Sequence, residues 1–307
     1  MILLWGIASD GPLSSVQATL LRLGAGFKFV DQQDVLRCRL ELTVNGGVGG
    51  RIETPQWSAD LNSFNAVYLR PYDVRRLPAM QGVKPTNLRW RRALQFDDTL
   101  TCWMDMTPSF VISRPSAMAS NNSKPYQLSL IQAAGFAVPD TLVTTDTTAA
   151  IEFWEQHGSV VYKSISGTRS IVSRVRAEHR DRFPDLANCP TQFQQYIEGI
   201  DYRIHVVGDE VFGCEICSDA DDYRYPQLQG AELQVRQYEV PPDVSQSCRF
   251  LAASLNLPVA GLDLRRSAAG EWFCFEANPS PAFTFYQDTS AQPISWAIAE
   301  LLAGAVR

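Results

Sequence analysis

The stretch WFCFEANPSPAF, residues 272–283, is apolar enough for a buried strand, yet Glu276 and Asn278 stand where such a strand would carry Val or Leu. An unpaired carboxylate in an apolar interior costs several kcal/mol or protonates, so these groups either face water or meet positive charge. Upstream, GLDLRRSAAGE supplies a partner strand and a turn at Ser267–Gly270. With that turn, Asp263 falls opposite Cys274. Strand alternation then puts Asp263, Glu276 and Asn278 on one face, with the two carboxylates diagonal at roughly 7–8 Å. Two carboxylates and a carboxamide oxygen are hard donors. Such a set suits Mg²⁺, which takes one or two carboxylates and fills its other positions with water and substrate phosphates. A solvent-facing sheet surface is the alternative reading of the same pattern.

A second group centres on Lys163, which lies inside VVYKSIS and is followed by Ser164, Ser166, Gly167, Thr168 and Ser170. A lysine in a strand can simply mark a sheet edge. Beside a Gly/Ser/Thr loop whose N–H groups can cradle an anion, it also suits phosphate. The loop is not a Walker A motif, because SISGTRS lacks the Gly-Lys-Ser/Thr ending.

In chain order, Lys124 at a helix start with GFAVPDT behind it, Lys163 before its glycine loop, QFQQYIEGIDYRIHVVGDEV, and GLDLRR with FCFEANP resemble the ATP-grasp superfamily of carboxylate–amine ligases, over about residues 114–287. The resemblance implies that Lys124 and Lys163 contact nucleotide phosphates or adenine and that the loop from Ser164 to Ser170 closes over the phosphates. It implies that Gln194, Gln195, Tyr196 and Ile197 line the adenine at a hinge, with Gln195 in place of a common Glu, and that Asp263, Glu276 and Asn278 hold the metal. Arg203 matches an arginine near the transferred phosphoryl group, and Arg224 is a second candidate. For both, an ion pair with Asp201, Asp221 or Asp222 is the alternative. Within the superfamily, EICSDADDYRYP is similar to the serine-then-Asp-Trp-Arg segment of microviridin-type (graspetide) macrocyclases, with Tyr223 replacing Trp. Ribosomal-protein-modifying glutamate ligases share the core motifs.

The implied chemistry needs ATP and Mg²⁺: the γ-phosphoryl group passes to a carboxylate, and an amine or hydroxyl on a peptide or amino acid attacks the acyl phosphate. Two alternatives stay open, a ligase of a small metabolite or free amino acid and a nucleotide-binding regulator without turnover. A homodimer is compatible with either.

The elements that must hold these groups read as α/β (α+β). Ser, Asn and Pro accumulate in TPSFVISRPSAMASNNS and set off an N-terminal α/β domain at 1–113; the resemblance implies that the rest divides into an ATP-grasp central subdomain at 114–190 and a C-terminal catalytic subdomain at 191–307. By the resemblance, the nucleotide lies between two antiparallel sheets. ILLWGIA reads as a first strand, SSVQATLLRLGAG as a helix capped by Ser14 or Ser15, and RLELTVNGGVGGRIET as a hairpin rather than a dinucleotide fingerprint. FNAVYLRPYD reads as a strand ending at a sheet edge. Pro125, with Leu128, Ile131 and Ala134, marks a helix stopped by Gly135. Gly208-Asp209 joins two strands in a tight hairpin.

The chain has 307 residues, net charge −6, 45% hydrophobic and 20% charged residues. This is the balance of an ordinary globular protein and argues against a nucleic-acid partner. The N-terminal apolar run is too short for a membrane span and lacks a preceding basic residue, and ISWAIAELLAGAV reads as a docking helix; a cytoplasmic, membrane-free protein is expected. Seven cysteines fit reduced thiols. Cys214 and Cys217 have CxxC spacing, but with three histidines and no second CxxC they read as two buried thiols.

Overall fold

The computed structural model describes residues 1–165, 172–218 and 232–306. β1 (Ile2–Gly6), α1 (Gly11–Arg22) and β2 (Phe27–Asp31) lead into the hairpin of β3 (Arg39–Val44) and β4 (Val48–Glu53), with β5 (Ser58–Asp60) beside it; β6 (Ala66–Arg70), α2 (Leu88–Met106) and β7 (Phe110–Ile112) follow. The parallel sheet has order β2-β1-β6-β7. Every residue of β1 is buried, as in a parallel strand covered on both faces. The same holds for Ala66–Leu69, so β6 is an interior strand, contrary to the sheet edge expected from its sequence. Helix α1 starts earlier than its serines suggest: the Asp10 carboxylate accepts from the Leu13 N–H at 2.9 Å, ahead of Ser14 and Ser15. In the hairpin, Gly50 has φ +143° and a Cβ there would lie 1.9 Å from the Glu41 carbonyl oxygen. Gly50 thus lets β4 pair closely with β3, in keeping with the hairpin reading.

The central part contains α3 (Pro115–Met118), α4 (Lys124–Ala133), β8 (Thr141–Thr144), α5 (Thr147–His157), β9 (Val160–Ser164), β10 (Ser173–Arg174) and β11 (Thr191–Gln195). Its antiparallel sheet has order β10-β9-β11-β8. Ala150, Val160, Phe183, Leu186 and Phe193 form the core on one face. Alternation leaves Val161, Lys163, Gln192 and Gln194 on the other.

β12 (Gly199–Val207), β13 (Glu210–Cys217), β14 (Gln234–Tyr238), α6 (Pro242–Ser254), β15 (Val259–Ser267), β16 (Trp272–Asn278), α7 (Thr284–Ser290) and α8 (Ile294–Gly304) complete the described chain. A second antiparallel sheet has order β14-β13-β12-β15-β16, with Val207 paired to Glu210 across Gly208-Asp209 as expected. The four-stranded and five-stranded antiparallel sheets, which stand beside the smaller antiparallel sheet β3-β4-β5, agree with the fold class read from the sequence. Tyr202, Ile204, Leu262, Leu264, Cys274 and Ala277 pack against α4 and α6. Cys214 is buried and Cys217 exposed, so only one of the pair is a buried thiol. Three positions apart on a strand, they point to opposite faces. Among the described residues no group of three or more His, Cys, Asp or Glu is placed to hold a metal.

Helix α8 docks on α1. Ile2, Leu4, Leu13 and Leu20 share one core with Val207, Val259, Phe283, Ile294, Ile298 and Leu302, which joins the first and last segments of the chain. No helix among the described residues is long and apolar enough to cross a membrane. In the N-terminal part, buried Gln32 accepts from the Tyr72 N–H at 2.7 Å, and its amide donates at 3.1 Å both to the Tyr72 carbonyl and to Asp97. Burial raises the Asp97 carboxyl to about 6.

Two stability outcomes follow. Ile298→Ala opens a cavity in the core shared by both ends and costs about 2–5 kcal/mol, read as one cooperative shift in chemical denaturation. For Asp97, the unfolded group ionises near pH ~4 and the folded group about 2 units higher. Stability attributable to it therefore falls as pH rises across that window and stays lower above it. Asp97→Asn should stabilise the protein by about 1–3 kcal/mol at pH ~7 and have no such effect below pH ~4, as measured by denaturation at the two pH values.

Candidate active site

The β15–β16 hairpin departs from the expected register. Asp263 pairs with Glu276, Leu262 with Ala277 and Gly261 with Asn278, but Leu264 pairs with Cys274, which leaves Phe275 as the extra residue of a β-bulge. The turn is also longer than expected, closing with Ser267 N–H to the Glu271 carbonyl at 2.9 Å. The observed register has a physical reason. The bulge changes the side-chain parity of β16, so Cys274 and Ala277, three residues apart, are both buried in the core. Glu276 and Asn278 are thereby released to the opposite face, and Asp263 meets Glu276 directly instead of diagonally.

Like charges directly opposite on neighbouring strands repel, and each carboxylate here has a cation from a different element. Arg203, directly across from Asp263 on β12, donates from Nη1 to Asp263 Oδ1 at 2.6 Å. Lys124, at the start of α4, donates from Nζ to Glu276 Oε1 at 2.5 Å and to Asn121 Oδ1 at 3.1 Å. Three adjacent strands and one helix thus carry, in a row, Arg203⁺, Asp263⁻, Glu276⁻ and Lys124⁺. The cations are the more deeply buried members, at 7% and 8% side-chain exposure against 18% and 21% for Asp263 and Glu276. Asp201, one of the acids named for Arg203 from sequence, is taken instead by Arg265 in a two-pronged pair at 2.7 and 2.8 Å.

Gly261 makes room for this arrangement. A Cβ at Gly261 would stand 2.2 Å from Arg203 Nη2 and 2.7 Å from Pro281 Cβ. The Tyr286 ring of α7 lies 5.8 Å from the Arg203 guanidinium and 5.2 Å from the His205 ring. His205 is wholly buried, with neither ring nitrogen hydrogen-bonded among the described residues. Burial, then the Arg203 charge, pushes it well below the ordinary histidine range, and it is neutral.

Helix α4 contributes a residue that the sequence reading missed. Gln127 donates to the Ala277 carbonyl at 2.8 Å and accepts from the Ala277 N–H at 3.1 Å, holding the backbone between Glu276 and Asn278 as a neighbouring strand would. The buried positions of α4 are Lys124, Gln127 and Ile131, so its inward stripe begins with polar side chains. That i, i+3 spacing was visible, but the apolar rule directed attention to Leu128, which is only half-buried. Asn278 Oδ1 accepts from the Ser280 N–H at 2.9 Å.

In the central sheet, Lys163 is buried on β9 opposite Gln192 of β11. Ser164 is the exposed last residue of β9, while Ser166, Gly167 and Arg224 lie outside the described residues. Gln194 is buried and its amide donates to Thr141 at 3.0 Å. Gln195 and Tyr196 are held by backbone bonds to Asp140 and Ser159. The Tyr196 ring lies 3.6 Å from the Arg174 guanidinium of β10 and 5.3 Å from that of Arg265 on β15, so this tyrosine has a cation from each sheet beside it. The Ile197 carbonyl accepts from Arg265 at 2.7 Å. Sequence reasoning also missed Arg265 and Gln192; the Gln192 Oε1 is buried without a hydrogen-bond partner among the described residues. Its signal was its alternation with Gln194.

The donor set can be tested against a divalent ion. Asp263 and Glu276 present oxygens from one face of adjacent strands, both partly accessible above a buried cationic floor, and Asn278 adds a carboxamide two residues on. Two carboxylates and an amide are too few for an all-protein cage but fit Mg²⁺ shared with substrate phosphates.

A family model described as the RimK-like ATP-grasp domain matches residues 119–302. Among solved structures, the chain is similar to a Chryseobacterium gregarium RiPP-associated ATP-grasp ligase in complex with ADP and a leader and core peptide, at 22% identity over 99% of this chain and 96% of that one, TM-score 0.84. It is similar to macrocyclase MdnC bound with precursor peptide MdnA from Microcystis aeruginosa MRC, at 21% identity over 99% of both chains, TM-score 0.83. It is also similar to the ATP-grasp ligase PsnB complexed with minimal precursor, Mg and ADP, at 25% identity over 99% of this chain and 98% of that one, TM-score 0.79. No curated protein matches the chain. With the charged row built across β12, β15 and β16 and more than half of its length matched by the domain model, the chain belongs to the RimK-like ATP-grasp family.

Proposed function

We propose that this protein is an ATP- and Mg²⁺-dependent ligase that activates a carboxylate on a peptide as an acyl phosphate and condenses it with an amine or hydroxyl. The observation that carries the reading is the row Arg203, Asp263, Glu276 and Lys124 in a chain of this family. A peptide substrate is supported by likeness to peptide-bound ligases along nearly the whole chain, including the N-terminal residues that the domain model does not reach.

In this reading Asp263, Glu276 and Asn278 hold the metal. Bound Mg²⁺ supplies charge neutralisation at the triphosphate oxygens. Lys163 and Lys124 bind phosphate oxygens, and Gln194, Gln195, Tyr196 and Ile197 line the adenine. The loop beginning at Ser164 and continuing through Ser166 and Gly167 covers the phosphates. Lys124 is already paired with Glu276, so it serves both the carboxylate and the approaching phosphate from one buried point. Arg203 is hydrogen-bonded to Asp263, with its guanidinium in the space that Gly261 leaves open and near the Tyr286 ring, and in this role it steadies the negative charge of the phosphoryl group in transfer. Arg224, together with Arg203, is assigned to the oxyanion that forms at the attacked carbonyl and to the departing phosphate. A carboxylate is a poor electrophile; as an acyl phosphate it accepts an amine or hydroxyl at its carbonyl carbon, and phosphate leaves. No protein nucleophile enters the scheme.

Two measurements test it. Incubating the full chain with ATP, Mg²⁺ and candidate acidic peptides should release ADP and yield a peptide lighter by one water in mass spectrometry; ADP release with free amino acids alone, and none with any peptide, would move the substrate to the small-molecule class. Glu276→Gln keeps the shape but removes the charge facing Lys124, and should lower the turnover number by about 10²–10³-fold in the folded protein. Unchanged Mg²⁺-dependent ADP release by this variant would remove Glu276 from the metal-binding role.

A further inference from the structure

We infer that Arg70, in the N-terminal part of the chain, is a positioning residue that sets the orientation of Asn278 through Ser280; the inference rests on the metal-binding role proposed above for Asn278. Arg70 ends β6 and its guanidinium is almost wholly enclosed, with 10% side-chain exposure against 8% for its partner Asp10. Its Nε donates to Asp10 Oδ1 at 2.7 Å. Its Nη1 donates to Ser280 Oγ and to the Pro281 carbonyl, each at 3.0 Å. Asp10 is itself fixed, because the same Oδ1 caps α1 by accepting from the Leu13 N–H. The chain of contacts therefore runs from the N-terminus of α1 through Asp10 and Arg70 to Ser280, whose N–H donates to Asn278 Oδ1.

The loop that receives these bonds needs an outside anchor. In Pro279-Ser280-Pro281 both prolines lack an N–H, which leaves the Ser280 N–H as the one backbone donor of the three, and it is spent on Asn278. Pro281 also presses on the space above Gly261 that Arg203 Nη2 shares. A loop displaced here would move two things at once, the Asn278 carboxamide and the wall against the Arg203 guanidinium. Arginine is suited to the position because one planar fork serves the Asp10 carboxylate and the loop together; lysine keeps the charge but not the fork. Partners that orient a metal ligand typically alter metal affinity by about 10–100-fold when removed.

The test measures ADP affinity of the full chain by calorimetry, across a series of Mg²⁺ concentrations and in EDTA, for wild type, Arg70→Lys and Ser280→Ala. Ser280→Ala retains the N–H to Asn278 and deletes only the hydroxyl that Arg70 grips. The expected result is a rise of about tenfold in the Mg²⁺ concentration giving half-maximal enhancement of ADP binding for Arg70→Lys, and a smaller rise in the same direction for Ser280→Ala. ADP affinity in EDTA should stay within about twofold of wild type, and the double variant should match Arg70→Lys alone, because both changes interrupt one path. Unchanged Mg²⁺ dependence overturns the inference, as does equal weakening with and without the metal. If Arg70→Lys fails to fold, unchanged Mg²⁺ dependence in Ser280→Ala is sufficient to overturn it. A wild-type chain whose ADP binding ignores Mg²⁺ overturns the metal assignment itself, a result distinct from a wild type that responds and variants that do not shift.

Discussion

Asp263 and Glu276 face each other across two paired strands, and a sheet can carry that opposition only if positive charge stands on both flanks. Arg203 and Lys124 are those flanks, and both are more buried than the acids they pair with. Removing one member of such a set leaves a desolvated charge without compensation, which costs more than the pair contributes when intact. The four groups therefore stand or fall together, and much of the surrounding packing is explained by the need to hold them. Gly261 yields its side-chain volume to the Arg203 guanidinium, Tyr286 lies near that group, and the bulge at Phe275 turns Glu276 out of the core.

Helix α4 shows how one short element meets several demands. Its inward stripe places Lys124 against a carboxylate and Gln127 against the backbone of the next residue, so β16 has β15 on one side and a helix-borne amide on the other. A buried amide with both its oxygen and nitrogen satisfied loses little to desolvation and gives an outer strand the register of an inner one.

The N-terminal sheet is fused to this machinery. Its core continues through Val207, Val259 and Phe283 into α8, and the last helix of the chain packs on the first. Likeness to solved structures runs along the whole chain, whereas the domain model stops short of the N-terminal part. Fusion through a common apolar core gives Arg70 a rigid base from which to reach the loop after β16.

Much was legible from residue order. Period-two alternation marked β12, β13, β15 and β16, a two-residue glycine turn fixed one hairpin, and the misfit of Glu276 and Asn278 in an apolar run singled out the site, because these signals are local and each strand position must choose a face. The residues brought together there, Lys124, Arg203, Asp263, Glu276 and Asn278, were all named from sequence. What tertiary structure alone decided was the pairing: the bulge that sets Asp263 against Glu276, the transfer of Asp201 to Arg265, the backbone grip of Gln127, and the reach of Arg70 across 210 positions to Ser280. Register and long-range polar contacts depend on which surfaces meet once the core has closed, and no local periodicity records that.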